Sequence, residues 1–285
     1  MNYLDPVLEF HLSLPRHAIG PRQVARAGEI WRLFQEAAVQ ASISAGWPPS
    51  RYRSQDTGFV VGAMTVRHHR ELRSDTGIVA RTWVRDFRRG MLSRRQLQIL
   101  DGDGLVSDST QSWLHVGMSD GELQPCKASE DLIAAFPPVL EPGPAARLPS
   151  WESMEVLTLP EFHIEIWHGW MDPMGHANHP VYIDWCDEAL ARSLSASGEE
   201  PSEVVSVAEQ VRWRRAAMAG ERVAVKTRAV GHAPTGLVLL HELVNLDDGG
   251  IHASAVTVRR LNQDSDGSGL EACLRSVSGS PSRLR

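Results

Sequence analysis

Residues 66–82 of this chain read VRHHRELRSDTGIVART, and residues 211–227 read VRWRRAAMAGERVAVKT, which is a similar pattern 145 residues later (211 minus 66). Each stretch predicts the end of one strand, a turn, and a second strand whose apolar side chains alternate along the chain. The alternating apolar positions are Ile78, Ala80, Val223 and Val225. The chain is therefore predicted to contain the same strand-turn-strand unit twice.

The sequence after each copy of the repeat is also duplicated. Residues 101–104 and 247–250 are turn sequences made of Asp and Gly, which favour β-hairpins. A strand with a period of two residues is expected after each turn, over residues 106–116 and 251–261. Each half is therefore expected to contain a run of long antiparallel strands.

One amphipathic helix is expected before each copy of the repeat. Apolar residues spaced by three and four predict these helices over about residues 28–44 and 180–195. Gly46 and Gly198 stand just past the two ends, where a glycine commonly closes a helix. One helix over one antiparallel sheet in each half is an α+β fold.

The boundaries of the two halves follow from composition. The predicted organisation is a first domain over residues 1–136, a proline-rich linker over 137–150, a second domain over 151–262, and a mobile Ser/Gly-rich tail over 263–285.

Composition and charge argue against several functional classes. The chain has 29 basic and 35 acidic residues, a net charge of −6, which gives no electrostatic footprint for nucleic acid. Its three cysteines are widely spaced and predict neither a disulfide framework nor a zinc site, so a reducing compartment is expected. The sequence contains no signal-peptide pattern and no run of roughly 18 apolar residues that could span a membrane. We expect a cytoplasmic protein without a metal or an organic cofactor.

The side chains best suited to chemistry lie just before the second helix, in the sequence DPMGHANHP at residues 172–180. Asp172 supplies a carboxylate that can act as a nucleophile or a general base. His176 can donate a hydrogen bond to a carbonyl oxygen or orient a water molecule. Gly175 lets the backbone approach a substrate, and Asn178 can bind the backbone of its own loop.

The start of the second helix adds hydrogen-bond donors to this loop. Pro180 favours the first position of a helix, and the amide groups that follow, at Val181 and Tyr182, are expected to form an oxyanion site. A thioester carbonyl develops negative charge during cleavage, so a helix start beside a carboxylate suits that reaction.

The first half does not carry these side chains. When the two helices are aligned at a shift of 152 residues (172 minus 20), Gly20 and Val24 stand opposite Asp172 and His176. One active site, built on the second half, is therefore predicted. A secondary candidate is Glu188, although its spacing of four residues from Asp184 and Arg192 also fits a solvent-exposed ion pair.

The pattern Asp172-x-x-Gly175-His176-x-Asn178-x-x-x-Tyr182, followed by Glu188-Ala189, resembles the 4-hydroxybenzoyl-CoA thioesterase family of hotdog acyl-CoA thioesterases. The duplicated layout is similar to that of the fatty acyl-ACP thioesterases, which carry two hotdog domains in one chain. This resemblance implies a double hotdog in which a long helix is wrapped by a curved antiparallel sheet in each domain. It also implies that Asp172 is the catalytic carboxylate, that His176 positions the thioester, and that Asn178 supports the loop.

The chain departs from the acyl-ACP enzymes in its loop and in the strand that follows. Met174 stands where their loop has an Asn, and Ala216 and Ala217 stand where their next strand has an acidic residue. The loop is closer to the acyl-CoA enzymes and the layout to the acyl-ACP enzymes, so the resemblance implies a substrate carried on either coenzyme A or acyl carrier protein.

We therefore expect a thioesterase that hydrolyses a fatty or related acyl thioester, as a monomer or a homodimer. The acidic residue is missing and the first half lacks the candidate catalytic side chains. A second interpretation is therefore a non-hydrolytic acyl-binding hotdog protein. A third interpretation is a hotdog dehydratase or cyclase that acts on carrier-bound polyketide intermediates.

Overall fold

The computed structural model describes residues 6–119, 122–139 and 143–278. The chain folds into two compact units. The first contains Met1–Ala18 and Glu29–Arg147, and the second contains Ile19–Gly28 and Leu148–Arg285. The division after Arg147 falls inside the segment where the sequence predicts a linker.

The first unit is an antiparallel sheet accompanied by one long helix. Its strands are β1 (Leu8–Leu12), β2 (Thr57–His68), β3 (Ile78–Arg88), β4 (Leu92–Asp101), β5 (Gly104–Ser119) and β6 (Glu122–Pro125), and its helices are α1 (Ala27–Ser44), α2 (Pro49–Ser54) and α3 (Glu130–Ala134). The strands pair in the order β1-β3-β4-β5-β2, with β6 beside β5.

The second unit repeats this plan. Its elements are β7 (Glu152–Thr158), β8 (Phe162–Glu165), α4 (Val181–Ser197), β9 (Val204–Trp213), β10 (Arg222–Ala233), β11 (Gly236–Asn245), β12 (Ile251–Leu261) and α5 (Ser268–Val277). The strands pair in the order β9-β12-β11-β10-β7, with β8 on β10. Because β9 to β12 follow the order of β2 to β5, the predicted duplication and the α+β class are confirmed.

The two long helices end as the sequence predicts. Gly198 adopts the left-handed conformation with φ 87°, which a residue with a side chain would reach at a cost. This turn lets the amide of Glu199 donate to the carbonyl of Leu194 at 3.0 Å. Gly46 closes α1 in the same way with φ 79°, and the amide of Trp47 donates to the carbonyl of Ser42 at 2.8 Å.

The end of the second unit corrects one prediction. The sequence predicts a mobile tail from residue 263, but Ser268–Val277 forms helix α5. Leu270 and Leu274 of α5 are completely buried and pack in one core cluster with Leu190 and Leu194 of α4. Apolar contact therefore orders this segment, while the rest of the predicted tail, residues 279–285, lies outside the described residues.

The N-terminal part of the chain also departs from the predicted boundaries. Ile19–Gly28 was expected in the first domain but belongs to the second unit. Arg22 holds it there, because its Nε donates to the carbonyl of Ser202 at 2.6 Å and its Nη2 to that of Val204 at 3.3 Å. No local sequence pattern indicates this exchange, since the partners of Arg22 lie 180 and 182 residues away.

Among the helices that the structure describes, none is long and apolar enough to cross a membrane. The described residues also contain no cluster of three or more His, Cys, Asp or Glu side chains that could hold a metal ion.

Candidate active site

The loop before α4 is a small hairpin that carries Asp172 and His176 at its tip. Met171 and Ala177 form an antiparallel bridge at its base, and the amide of Asp172 donates to the carbonyl of His176 at 2.9 Å. The amide of Gly175 donates to the carbonyl of Asp172 at 2.9 Å, which closes a tight turn. Gly175 has φ 82°, a left-handed conformation that glycine adopts more easily than other residues.

The two candidate catalytic side chains face each other. Nδ1 of His176 lies 3.3 Å from Oδ2 of Asp172, and the two side chains are 19% and 14% exposed. Oδ1 of Asp172 accepts a hydrogen bond from the amide of Met174 at 2.8 Å. The carboxylate is therefore oriented by its own loop on one oxygen and by the imidazole on the other, while both groups stay accessible to a small reactant.

The corresponding loop of the first half keeps the backbone and lacks the side chains. Ile19 and Ala25 form the same bridge, and the amide of Gly20 donates to the carbonyl of Val24 at 2.9 Å. Gln23 takes the place of Gly175 with φ 60° and donates to the carbonyl of Gly20 at 3.0 Å. The alignment at a shift of 152 residues is thus confirmed by matching hydrogen bonds, and this second loop offers neither a carboxylate nor an imidazole at those positions.

Some of the amide groups at the start of α4 already donate hydrogen bonds within the fold. The amide of Val181 donates to the carbonyl of Asn178 at 3.0 Å, and the amide of Ile183 donates to that of Pro180 at 3.1 Å. The N–H of Val181 therefore already has an acceptor, and its predicted oxyanion role gains no support from this contact. Neither of these two bonds involves the amide of Tyr182, so its oxyanion role stays a prediction.

The segment between β9 and β10, residues 214–221, supports the candidate loop from the side. The carbonyl of Ala217 accepts from the amide of Ala177 at 2.8 Å, and the backbone of Ala217 also hydrogen-bonds to the hydroxyl of Tyr182. Ala217 is completely buried. A small residue at this position, where the resemblance implies an acidic one, allows this close backbone contact.

Glu221 is the acidic residue near the site that the sequence analysis missed. Its Oε2 accepts from the amide of Met218 at 2.8 Å, and its Oε1 accepts from Nη2 of Arg215 at 3.0 Å. Burial raises the pKa of the Tyr182 hydroxyl above its usual range, and the charges of Glu221 and Asp172 act in the same direction. Both carboxylates therefore act on the same phenol, which stays protonated at neutral pH.

The resemblance places the acidic residue at Ala216 or Ala217, and therefore does not point to Glu221. The sequence signal that could have pointed to Glu221 is the preceding Gly220, because glycine often marks a tight turn. In the structure Gly220 has φ 84° and forms such a turn just before β10. Buried His252 lies behind it, with Nε2 at 3.5 Å from Oε2 of Glu221.

A series of aromatic rings leads from the loop to the protein surface. Trp167 stacks on Trp170 with centroids 4.9 Å apart and an interplanar angle of 9°. Trp170 meets Trp185 at 5.5 Å, Trp185 meets Tyr182 at 4.8 Å, and Tyr182 meets Trp213 at 5.9 Å. Trp167 is 66% exposed, so an apolar surface is open to solvent beside the loop.

Among the described residues, the secondary candidate Glu188 contacts Arg192 of its own helix and not the candidate loop. Its Oε1 accepts from Nε of Arg192 at 2.9 Å, and the two side chains are 48% and 65% exposed. This is the exposed ion pair that the spacing of four residues predicts. Its contacts give no support to a role in chemistry.

Comparison with known proteins identifies a family match that covers the candidate loop. Residues 166–267 match the family model described as the thioesterase-like superfamily, a range that includes the loop, α4 and strands β9 to β12. No curated protein sequence matches this chain.

Several solved structures share the fold over most of the chain. A putative oleoyl thioesterase from Lactobacillus plantarum is 17% identical, with a TM-score of 0.71, over 90% of this chain and 97% of its own. A 12:0-ACP thioesterase from Umbellularia californica is 16% identical, with a TM-score of 0.69, over 90% and 94%. An acyl-ACP thioesterase from Bacteroides thetaiotaomicron is 11% identical, with a TM-score of 0.68, over 90% and 98%. At these identities the similarity establishes the fold, and the predicted double hotdog is confirmed.

Proposed function

We propose that this protein, whose residues 166–267 match the thioesterase-like superfamily, hydrolyses an acyl thioester at the Asp172 loop. The single observation that carries the proposal is the approach of Nδ1 of His176 to 3.3 Å from the Asp172 carboxylate, on a loop that runs into the start of α4. Water and the acyl thioester would give a carboxylic acid and a free thiol.

Each group has a defined part in this proposal. Asp172 attacks the thioester carbonyl or takes a proton from the attacking water; both routes give the same products. His176 holds the carboxylate in place and can donate to the reacting oxygen. The backbone amide of Tyr182, near the positive end of α4, would stabilise the negative charge that develops on that oxygen.

The acyl group needs an apolar surface beside the loop. The exposed ring of Trp167, stacked on Trp170, supplies one. The solved structures of similar fold include enzymes named for acyl-ACP and oleoyl substrates, which supports a fatty acyl group. We propose a fatty or related acyl thioester of coenzyme A or of acyl carrier protein as the substrate, and a cytoplasmic role in fatty acid metabolism.

The proposal is tested by thiol release from acyl-CoA and acyl-ACP substrates of increasing chain length. The variant is Asp172→Asn, because the amide oxygen can still accept from Met174 and so keeps the turn while it removes the charge. We expect kcat to fall by about 10²–10⁴-fold, the usual contribution of a general acid–base group, with an unchanged melting temperature.

The matched control is Glu188→Gln, which removes an exposed carboxylate on the adjacent helix and should leave turnover unchanged. A protein-only blank is needed, since Cys126 and Cys273 are partly exposed free thiols that can react with the thiol reagent used to detect release. Full activity in Asp172→Asn would reject the assignment of Asp172. Saturable binding of an acyl thioester by the wild type without thiol release would favour the non-hydrolytic acyl-binding alternative.

A further inference from the structure

Arg95 of β4 is a buried cation in the first unit. Only 7% of the residue is exposed, and its Nη1 donates to Oγ1 of Thr82 at 3.0 Å. Its guanidinium carbon lies 5.3 Å from the centre of the Phe136 ring. Among the residues that the structure describes, no carboxylate forms an ion pair with Arg95. A buried charge without an opposite charge is costly, so the site is incomplete as it stands.

Two other arginines of this chain pair with carboxylates and provide a comparison for Arg95. Arg94, the preceding residue on β4, binds Asp86 with Nε at 2.7 Å from Oδ1 and a second contact from Nη2 to Oδ2. Arg259 of the second unit is completely buried and binds both Glu209, at 2.7 Å, and Asp187, at 2.9 Å. Among the described residues Arg95 has no such partner, although it is almost as buried as Arg259.

Arg95 lines a pocket of the first unit. The pocket holds about 370 Å³ when the space at its open mouth is counted. Its lining is apolar apart from Arg95, Thr82 and Ser44, with Trp83, Val84 and Phe136 among the apolar side chains. The interior therefore suits a small headgroup, while the open mouth can take an apolar substituent.

We propose that this pocket binds a carboxylate carried on an apolar chain or ring, held by the guanidinium of Arg95 and the hydroxyl of Thr82. Arginine binds carboxylates in a planar two-point geometry, and its remaining N–H groups have no carboxylate acceptor among the described residues. A dianionic phosphate fits less well, since a single cation in an apolar pocket would leave one negative charge uncompensated.

The cation persists at neutral pH. Burial lowers the pKa of Arg95 to about 10, and the nearby Tyr52 hydroxyl opposes that shift. The guanidinium therefore stays protonated at pH 7 and can attract an anion. This binding site is built from the first unit and does not depend on the proposed hydrolysis at Asp172.

The test is calorimetric titration and thermal unfolding of the full-length protein with octanoate and with benzoate. Octanoate carries its carboxylate on a chain and benzoate on a ring, so the two titrations distinguish these two kinds of ligand. Octanol and inorganic phosphate are the comparison compounds. We expect one or both carboxylates to bind and to raise the melting temperature with concentration, because a ligand of the folded state stabilises it. We expect octanol and phosphate to bind at least tenfold more weakly.

Two substitutions on neighbouring residues complete the test. Arg95→Met should weaken carboxylate binding at least tenfold, whereas Arg94→Met, which removes an arginine already paired with Asp86, should bind as the wild type does. Without ligand, Arg95→Met should melt at or above the wild-type temperature, because the substitution removes an unpaired buried charge.

The proposal is overturned if neither carboxylate binds, if octanol or phosphate binds as tightly, or if Arg95→Met binds as tightly as the wild type. A sharply lower melting temperature of ligand-free Arg95→Met would also overturn it, since Arg95 would then be a structural residue. The same titrations on Asp172→Asn separate this result from any failure of the hydrolysis assay.

Discussion

Asp172 and Gly20 occupy equivalent places in two loops with the same hydrogen bonds. In both loops the first amide donates to the carbonyl four residues later, at 2.9 Å. The backbone thus supplies the frame twice, and chemistry depends on which side chains stand on it. With Asp172 and His176 in one frame and Gly20 and Val24 in the other, we propose that the chain has one hydrolytic site.

A second residue-scale property is the neutral state of His241. The imidazole is buried between Thr227 and Thr257, with each ring nitrogen 2.9 Å from a hydroxyl oxygen. Burial, with a contribution from the charge of Arg259, lowers the pKa of His241 from 6.5 to about 3. A histidine with a lowered folded-state pKa adds stability that is fully present above pH 6.5 and is lost as pH falls toward 3, because only the unfolded chain binds the proton.

We therefore expect the free energy of unfolding to fall by up to about 1.4 kcal/mol per pH unit from this one group between pH 6 and pH 4. The variant His241→Gln should show a shallower pH dependence in this range, by about one proton. Urea unfolding at each pH unit from 7 to 4 measures both slopes. Equal slopes for the two proteins would contradict the assignment.

Helix α4 serves two functions at the element scale. Its N-terminal turn carries Tyr182 and Trp185 beside the candidate loop, and its C-terminal part packs through Leu190 and Leu194 against α5. The same helix therefore links the position of the loop to the core of the second unit. Residues 214–221 fix the loop from the other side through Ala217.

The packing of α5 on α4 can be tested with one substitution. Leu274→Ala removes a completely buried side chain from the cluster that includes Leu190 and Leu194. We expect the free energy of unfolding to fall by about 2–5 kcal/mol, as for other large-to-small core changes. The control Ser276→Ala, on the exposed side of α5, should stay within about 0.5 kcal/mol of the wild type. Wild-type stability for Leu274→Ala in urea unfolding would mean that α5 does not contribute to this core.

At the scale of the whole molecule, the chain order and the folded units do not coincide. Ile19–Gly28 belongs to the second unit although the residues on either side of it belong to the first. The second unit is therefore completed by a segment that a cut at the linker would remove.

Arg22 is the residue that tests this exchange. Arg22→Met removes the bonds to the carbonyls of Ser202 and Val204, and we expect a loss of about 1–3 kcal/mol with faster amide hydrogen exchange in residues 19–28. Arg16→Met, at an exposed position before the segment, is the control and should leave both measurements unchanged. Unchanged exchange in Arg22→Met would show that other contacts hold the segment.

The sequence by itself determined the features that rest on local pattern. The strands around residues 78 and 223 followed from alternation, and the helix ends at Gly46 and Gly198 followed from the left-handed turn that glycine permits. The position of Asp172 and His176 just before the second helix followed from the same kind of local pattern. Short-range sterics and hydrogen bonding dictate these features, so a few adjacent residues suffice to predict them.

Only the tertiary structure decided which distant groups meet. It brought Ala217 and Glu221 to the loop, placed Ile19–Gly28 in the second unit, and left Arg95 buried without a carboxylate partner among the described residues. It also ordered α5, whose apolar residues gain stability only when another helix covers them. These outcomes depend on contacts between residues far apart in the chain, whose free energy comes from burial and charge in the folded state and leaves no mark on the local sequence pattern.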